Sequence, residues 1–249
     1  MRKPDRLRLD QLLVDKGFFS SRSQAHAAVL AGLVFVDQNK VDKAGTFFRP
    51  EVVIEVKGKP SPYVSRGGLK LAKALEEFKI EVKGKIALDI GASTGGFTDC
   101  LLQQGAEKVY AVDVGYGQLD WKLRNDPRVK VLERVNARYL TLAELELGTS
   151  NIELCTIDVS FISLTKILPV VYGLLTDKAE VIALIKPQFE AARKQVGKGG
   201  IVKDPAVHDE VIEKVSRFAR ELGFDVKGLT KSPIEGADGN VEFLIHLVK

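Results

Sequence analysis

The sequence predicts an α/β chain: a doubly wound, mostly parallel sheet with helices on both faces, preceded by a small α+β domain. Three observations carry this expectation. From residue 86 onward, apolar runs of strand length alternate with amphipathic helical stretches, the signature of βαβ units. A glycine-rich turn at 91–96 joins one such run to a helix. The first sixty residues differ in composition, holding eleven lysines and arginines against seven acids, while the remaining 189 balance at 26 of each.

The elements follow in order. Leu9, Leu12 and Leu13, then Lys16-Gly17, predict a short helix ended by glycine. Ser21, or Ser20, caps a second helix with Ala25, Ala28, Val29 and Leu30 on one face, closed by Gly32. Strands at 33–36 and 52–56 complete this segment, with Asp37-Gln38-Asn39-Lys40 as a polar turn. Lys57-Gly58-Lys59-Pro60-Ser61-Pro62 has linker composition, which divides the chain into 1–60, a linker at 61–64, and a large domain at 65–249.

In the large domain, Ser65-Arg66-Gly67-Gly68 precedes a helix carrying Leu69, Leu71, Ala72, Leu75 and Phe78. Strands are expected at 86–90, 109–113, 129–132, 152–158 and 180–186, and helices from about 96, at 163–175 and at 205–222, the last with Asp204 as cap and Pro205 first. A closing pair at 225–231 and 241–248 suggests an antiparallel hairpin at one sheet edge.

Composition excludes several classes. The two cysteines, Cys100 and Cys155, make no disulfide framework and read as core residues, which points to a reducing cytoplasm. No signal peptide is visible behind the basic start, and the longest apolar stretch, 167–175, is too short to span a bilayer. The histidines, His26, His208 and His246, are scattered and read as packing or surface residues, so no metal site is expected. The basic first sixty residues on a neutral large domain form the electrostatic footprint of a nucleic-acid reader, a partnerless basic face being the bland alternative.

Chemistry concentrates at the ends of apolar elements, where open α/β sheets place their ligands. Ala87-Leu88-Asp89-Ile90-Gly91-Ala92-Ser93-Thr94-Gly95-Gly96 is a buried strand entering a loop where backbone can approach a ligand. Asp113 ends the next strand, 22 residues after Gly91, near the interval expected for a ribose-binding acid. Ser93 stands where a pyrophosphate loop wants glycine, so the cofactor expected is a nucleoside without pyrophosphate, with S-adenosylmethionine the candidate. Lys70, Asp158, Lys186 and Glu242 also stand at element ends, and a lysine closing the strand 181–185 is costly unless partnered. Tyr116 and Trp121 either line the cofactor site or cover the sheet, and 197–203 is either a basic lid or an ordinary glycine-rich loop.

Two resemblances sharpen this. Arg6-Leu7-Arg8-Leu9-Asp10, Ser21-Arg22-Ser23-Gln24-Ala25 and Ala31-Gly32-Leu33-Val34-Phe35-Val36 resemble the RNA-binding domain named for ribosomal protein S-four. That implies a helical face presenting Arg6, Arg8 and Arg22 to structured RNA. The order Lys70, Asp158, Lys186, Glu242 resembles the tetrad of the FtsJ-like RNA ribose 2′-O-methyltransferases, on a Rossmann-like class I methyltransferase sheet. Together the two halves resemble the TlyA family, whose members methylate ribosomal RNA and have also been called haemolysins.

The resemblance implies a catalytic set of Lys70, Asp158, Lys186 and Glu242. It implies a cofactor site of Asp89, Gly91, Ser93, Thr94, Gly95, Gly96, Asp113 and Asn136, and cytidine in ribosomal RNA or its subunits as the substrate; the sequence itself shows no membrane-active segment, and no obligate protein partner is evident. Lys186 is expected to act as base, oriented by Asp158, with Lys70 as second cation and Glu242 fixing the network. Two unrelated salt bridges are the bland alternative, and a binding-only protein or a membrane-lytic haemolysin the competing functions.

Overall fold

A computed structural model of the chain describes residues 6–19, 21–30, 32–57, 61–149, 151–236 and 239–249. The alternative cap Ser20, the basic start at 1–5 and the linker residues 58–60 lie outside the described residues. The chain divides into two units, Met1–Arg66 and Gly67–Lys249.

In the first unit, β1 (Leu7–Arg8) leads into α1 (Leu9–Asp15) and α2 (Arg22–Leu30). Strands β2 (Val34–Val36), β3 (Asn39–Lys40), β4 (Phe47–Phe48) and β5 (Ile54–Val56) follow. β3-β2-β5 form an antiparallel sheet, and β1 pairs with β4. Leu9, Leu12 and Leu13 bury one face of α1 against Ala25, Ala28 and Val29 of α2, with Val34, Val36 and Ile54 beneath. Ser21 caps α2, its hydroxyl accepting the Gln24 N–H at 3.3 Å. Arg8 is not on a helical face. It pairs in extended conformation with Phe47 and serves as the N-cap position of α1, while Arg22 opens α2. Arg8 and Arg22 therefore stand at the amino ends of α1 and α2, while Arg6 precedes β1.

The second unit runs α3 (Gly67–Phe78), β6 (Ile86–Ile90), α4 (Gly96–Gln103), β7 (Lys108–Asp113), α5 (Trp121–Arg124) and β8 (Val129–Glu133). It continues with β9 (Ile152–Ile157), α6 (Leu168–Leu174), β10 (Leu175–Ile185), α7 (Pro187–Glu190), α8 (Pro205–Leu222), β11 (Asp225–Lys231) and β12 (Phe243–Val248). The seven strands lie in the order β11-β12-β10-β9-β6-β7-β8. The five from β10 to β8 are parallel; β12 is antiparallel and inserts between β10 and β11, so the last strand of the chain is interior.

The helix expected over 163–175 is shorter. Pro169 has no N–H to give Thr165, so the segment splits into a 3-10 turn at Leu164–Lys166 and α6. The chain then enters β10 directly, five residues earlier than the expected 180, and the β9–β10 register shifts between Leu175 and Glu180. α8 matches its expected bounds: the Asp204 carboxylate caps it, accepting the Ala206 N–H at 2.9 Å. Gly223, which the sequence reading did not single out, closes the helix in the left-handed conformation.

Candidate active site

β6, β7 and β9 end on the same edge of the sheet. Because the chain turns one way from β6 to β7 and the other way to β9, a crevice opens there. A cavity of roughly 490 Å³ occupies it, within the usual range for small-molecule sites. Gly91 and Ser93 after β6, Asp113 ending β7, Asn136 after β8 and Asp158 after β9 line it, between apolar walls that include Val112, Val135 and Ile162.

Gly91 has φ +85°, and a Cβ there would overlap the carbonyl oxygen of Asp158. The loop leaving β6 is thus seated against the chain leaving β9. Ser93, also left-handed at φ +48°, turns its N–H onto Asp113 Oδ2 at 2.8 Å, and Gly115 N–H donates to Oδ1 at 2.7 Å. Two loops fix the Asp113 carboxylate, and each oxygen keeps a lone pair for a ligand hydroxyl. Asn136 lies on the cavity wall with its Oδ1 accepting the Arg138 N–H at 3.1 Å, which leaves its NH2 to donate.

The other expected cofactor residues support the loop without lining the cavity. Asp89 is fully buried and accepts hydrogen bonds from Thr98 Oγ1 (2.6 Å, on α4) and Thr156 Oγ1 (2.9 Å, on β9). Burial pushes its carboxyl up to about 6, against the pull of these two hydroxyls. It braces three elements from inside the sheet. Gly95 has φ +96°, and a Cβ there would overlap Leu123 and Leu119. Gly96 is buried as the first residue of α4, and the Thr94 carbonyl accepts the Asp120 N–H at 3.2 Å. Tyr116 and Trp121 do neither of the things expected: both are exposed and outside the cavity, Tyr116 lying against Arg134 at 4.3 Å.

The four charged residues form two ion pairs. Lys70 Nζ, on the first turns of α3, donates to Glu242 Oε2 at 2.5 Å, across 172 residues of sequence. Both are buried, Glu242 to 2% exposure. Lys186 Nζ stands 2.5 Å from Asp158 Oδ1 and donates to Ser160 Oγ at 3.0 Å. The pairs belong to one edge: Ile185 faces Phe243 in the last rung of the β10–β12 ladder, and Lys186 and Glu242 are the next residues beyond it. Asp158 is also a cavity residue, so the second pair borders the space for the ligand.

Several residues escaped the sequence reading. Ser160 follows Asp158 by two residues, but nothing marked its hydroxyl as a partner of Lys186. Gly236 packs so closely on Glu242 that a Cβ would overlap the carboxylate. Thr98 and Thr156 looked like ordinary helix and strand residues. Asn240 anchors the glycine-rich segment at 197–203, accepting the Val202 N–H at 3.1 Å and donating to the Gly200 carbonyl at 3.0 Å. His208 adds a 2.9 Å contact to the Val202 carbonyl, so the base of that segment is held while its tip is exposed.

In the first unit, one nearly buried carboxylate organises two of the three expected RNA-binding arginines. Arg8 engages Asp10 with two hydrogen bonds, 3.1 and 2.9 Å, and Arg22 adds a third at 2.9 Å. Arg8 holds the Asp10 carboxyl well below the usual carboxylate range. Both guanidinium groups remain about half exposed, at 45% and 52%. Arg6 is exposed, before β1.

The cavity suits a nucleoside that carries no phosphate. It offers a fixed carboxylate for ribose hydroxyls, apolar walls for a base and an amide donor, while buried Asp99 in the first turn of α4 already supplies the anion that a helix end favours. Residues 63–249 match the model of the FtsJ-like methyltransferases and residues 7–54 that of the S4 domain. The chain belongs to the FtsJ-like methyltransferase family, with an S4 domain ahead of the methyltransferase domain. YqxC of Bacillus subtilis, provisionally described as an rRNA methyltransferase, is 55% identical over 240 residues, which cover 96% of this chain and 85% of YqxC. The 16S/23S rRNA (cytidine-2'-O)-methyltransferase TlyA of Mycobacterium tuberculosis is 45% identical over 243 residues, covering 97% and 90%. A solved structure from Streptococcus thermophilus, provisionally labelled a hemolysin, superposes with a TM-score of 0.77 at 48% identity, covering 99% of this chain and 90% of that one.

Proposed function

We propose that this protein transfers a methyl group from S-adenosylmethionine to the 2′-hydroxyl of a ribose in ribosomal RNA, with cytidine as the target. The observation that carries the reading is the pairing of Lys186 with Asp158 on the rim of the nucleoside cavity, beside the buried Lys70–Glu242 pair. The relatives named as rRNA methyltransferases, and the S4 domain, support ribosomal RNA as the acceptor.

Asp113 would hold the cofactor's ribose hydroxyls, Asn136 and the apolar walls its base, and Gly91 and Ser93 the loop beneath it. Bound S-adenosylmethionine supplies an electrophilic methyl carbon. The chain's own part is to hold the acceptor hydroxyl and take its proton. Lys186 in its neutral form accepts that proton at Nζ, while Asp158 and Ser160 fix the direction of the amine. Lys70, locked by Glu242, sets a second positive charge close to the developing alkoxide. With the reactants aligned, positioning supplies much of the rate.

Arg6, Arg8 and Arg22 would contact RNA phosphates, and the residues 1–60 would form the RNA-reading domain, joined through 61–64 to a catalytic domain at 65–249. A cytoplasmic protein acting on ribosomal subunits fits this reading. For the membrane-lytic alternative, no helix among the described residues is long and apolar enough to cross a membrane. The test is Lys186→Ala: S-adenosylmethionine binding is retained and methyl transfer to ribosomal RNA is lost. Transfer at the wild-type rate in that variant would sink the base assignment.

A further inference from the structure

We propose that Glu190 is a positioning residue that holds the Asp158–Ser160 loop in register with Lys186. This rests on the ribose methyl-transfer reading above and adds to it a residue outside the tetrad. Both of the groups that face Lys186 Nζ, the Asp158 carboxylate as its ion-pair partner and the Ser160 hydroxyl as its hydrogen-bond acceptor, lie on one loop between β9 and the turn at Leu164–Lys166. That loop contains Phe161, exposed and in the left-handed conformation at φ +63°, which a bulky side chain adopts only when its surroundings enforce it.

The loop is pinned at two places. At its start, Asp158 N–H donates to the Ile90 carbonyl at 2.9 Å. At its end, the buried Glu190 carboxylate accepts the Leu164 N–H at 2.6 Å on one oxygen and the Ser163 hydroxyl at 2.6 Å on the other. Glu190 is also the last residue of α7, the single turn that starts immediately after Lys186, and Phe189 N–H donates back to the Lys186 carbonyl at 2.9 Å. One carboxylate therefore ties the segment that carries the lysine to the segment that carries its partners. Lys214 of α8 fixes this tie from outside, donating to the Glu190 carbonyl at 2.7 Å and to Oε2 at 3.3 Å. A carboxylate fits this place because both of its oxygens must accept, which an amide cannot do.

The experiment compares full-length wild type, Glu190→Gln, Ser163→Ala and Lys186→Ala on ribosomal subunits from cells lacking the gene. It reads kcat and KM for the subunits, S-adenosylmethionine affinity and the thermal midpoint. Glu190→Gln keeps the shape and one acceptor but turns NH2 toward a donor. Its kcat falls about tenfold, less than the roughly hundredfold that a 1 Å misplacement of reacting groups can cost. KM and cofactor affinity stay at wild-type values. Ser163→Ala, which removes one donor and leaves the carboxylate, shows a smaller fall of the same kind, and it decides the matter should Glu190→Gln not fold. Wild-type kcat in these variants overturns the proposal, as does a loss that follows KM, cofactor affinity or folded fraction. Absence of ribose methylation by the wild type would instead refute the functional reading, so the two failures are distinct.

Discussion

Asp89→Asn should make the protein more stable at neutral pH and less sensitive to pH between about 4 and 6. Asp89 is fully buried, and its carboxyl is pushed up to about 6 from an ordinary 3.8, chiefly by burial and in part by the charge of Asp158. At 1.36 kcal/mol per unit, that shift corresponds to roughly 3 kcal/mol. The folded-state value lies above the unfolded one, so this group's stabilising contribution is full below about 4 and is lost as pH rises through about 6. Above that, the folded chain carries a buried charge that Thr98 and Thr156 only partly offset. Asparagine keeps one acceptor for one threonine and offers NH2 to the other, whose hydroxyl can turn to accept. Allowing about 1 kcal/mol for the altered bonds, the variant gains about 2 kcal/mol at pH 7.5, or about 4–8 °C for a unit of this size. Urea unfolding of both proteins at pH 4.5 and 7.5 checks this, and the informative quantity is the difference between them. A difference that does not change with pH would refute the account of Asp89, as would an asparagine variant that is less stable at pH 7.5.

Four other outcomes follow. Asp113→Ala lowers S-adenosylmethionine affinity by roughly ten- to a hundredfold, the value of hydrogen bonds to a charged group, and calorimetric titration reads it. Gly236→Ala drives a methyl into the Glu242 carboxylate, costs about 1–3 kcal/mol in stability and lowers kcat through the Lys70 pair; a variant destabilised by that amount with wild-type kcat would count against a role for the pair. Replacing Arg8 and Arg22 by Ala reduces the slope of log RNA affinity against log salt by about 1.5, with cofactor affinity unchanged, in a filter-binding series. Asp10→Asn removes an acid-sensitive contribution to the first unit: because Arg8 holds the Asp10 carboxyl low, this stability is present above about pH 4 and is lost as pH falls below it. The acid limb of the wild-type unfolding curve should therefore be steeper than that of the variant.

Local signals made much of the fold legible. Asp204-Pro205 marked the start of α8, and the β6–α4 turn announced itself through its glycines. Lys186 was visible because a lysine closing an apolar strand is expensive without a partner, and the order of Lys70, Asp158, Lys186 and Glu242 at element ends completed the set through its resemblance to the FtsJ-like tetrad. Which partner each one takes was not visible. Lys70 and Glu242 meet only because β12 inserts between β10 and β11, a pairing that no local pattern encodes. The direction of Asp89 was hidden for a related reason. Parallel strands buried on both faces show no polar–apolar alternation, so β6 does not reveal that Asp89 points toward Thr98 and Thr156 and away from the cavity. The resemblance implied a helical face for Arg8, yet its backbone is committed to β1. Glu190 follows the expected strand by a few residues in an unremarkable polar stretch, and only tertiary contacts with Ser163 and Leu164 give it meaning.

The central claim is that the acceptor atom is a ribose oxygen of ribosomal RNA. Incubation of the purified protein with methyl-deuterated S-adenosylmethionine and unmodified ribosomal subunits, followed by nucleoside mass spectrometry of the digested RNA, tests it most directly. The label is expected on ribose, as 2′-O-methylcytidine, and is lost with Lys186→Ala. Label found on a nucleobase, or absent from the RNA while the protein still binds S-adenosylmethionine, would contradict it.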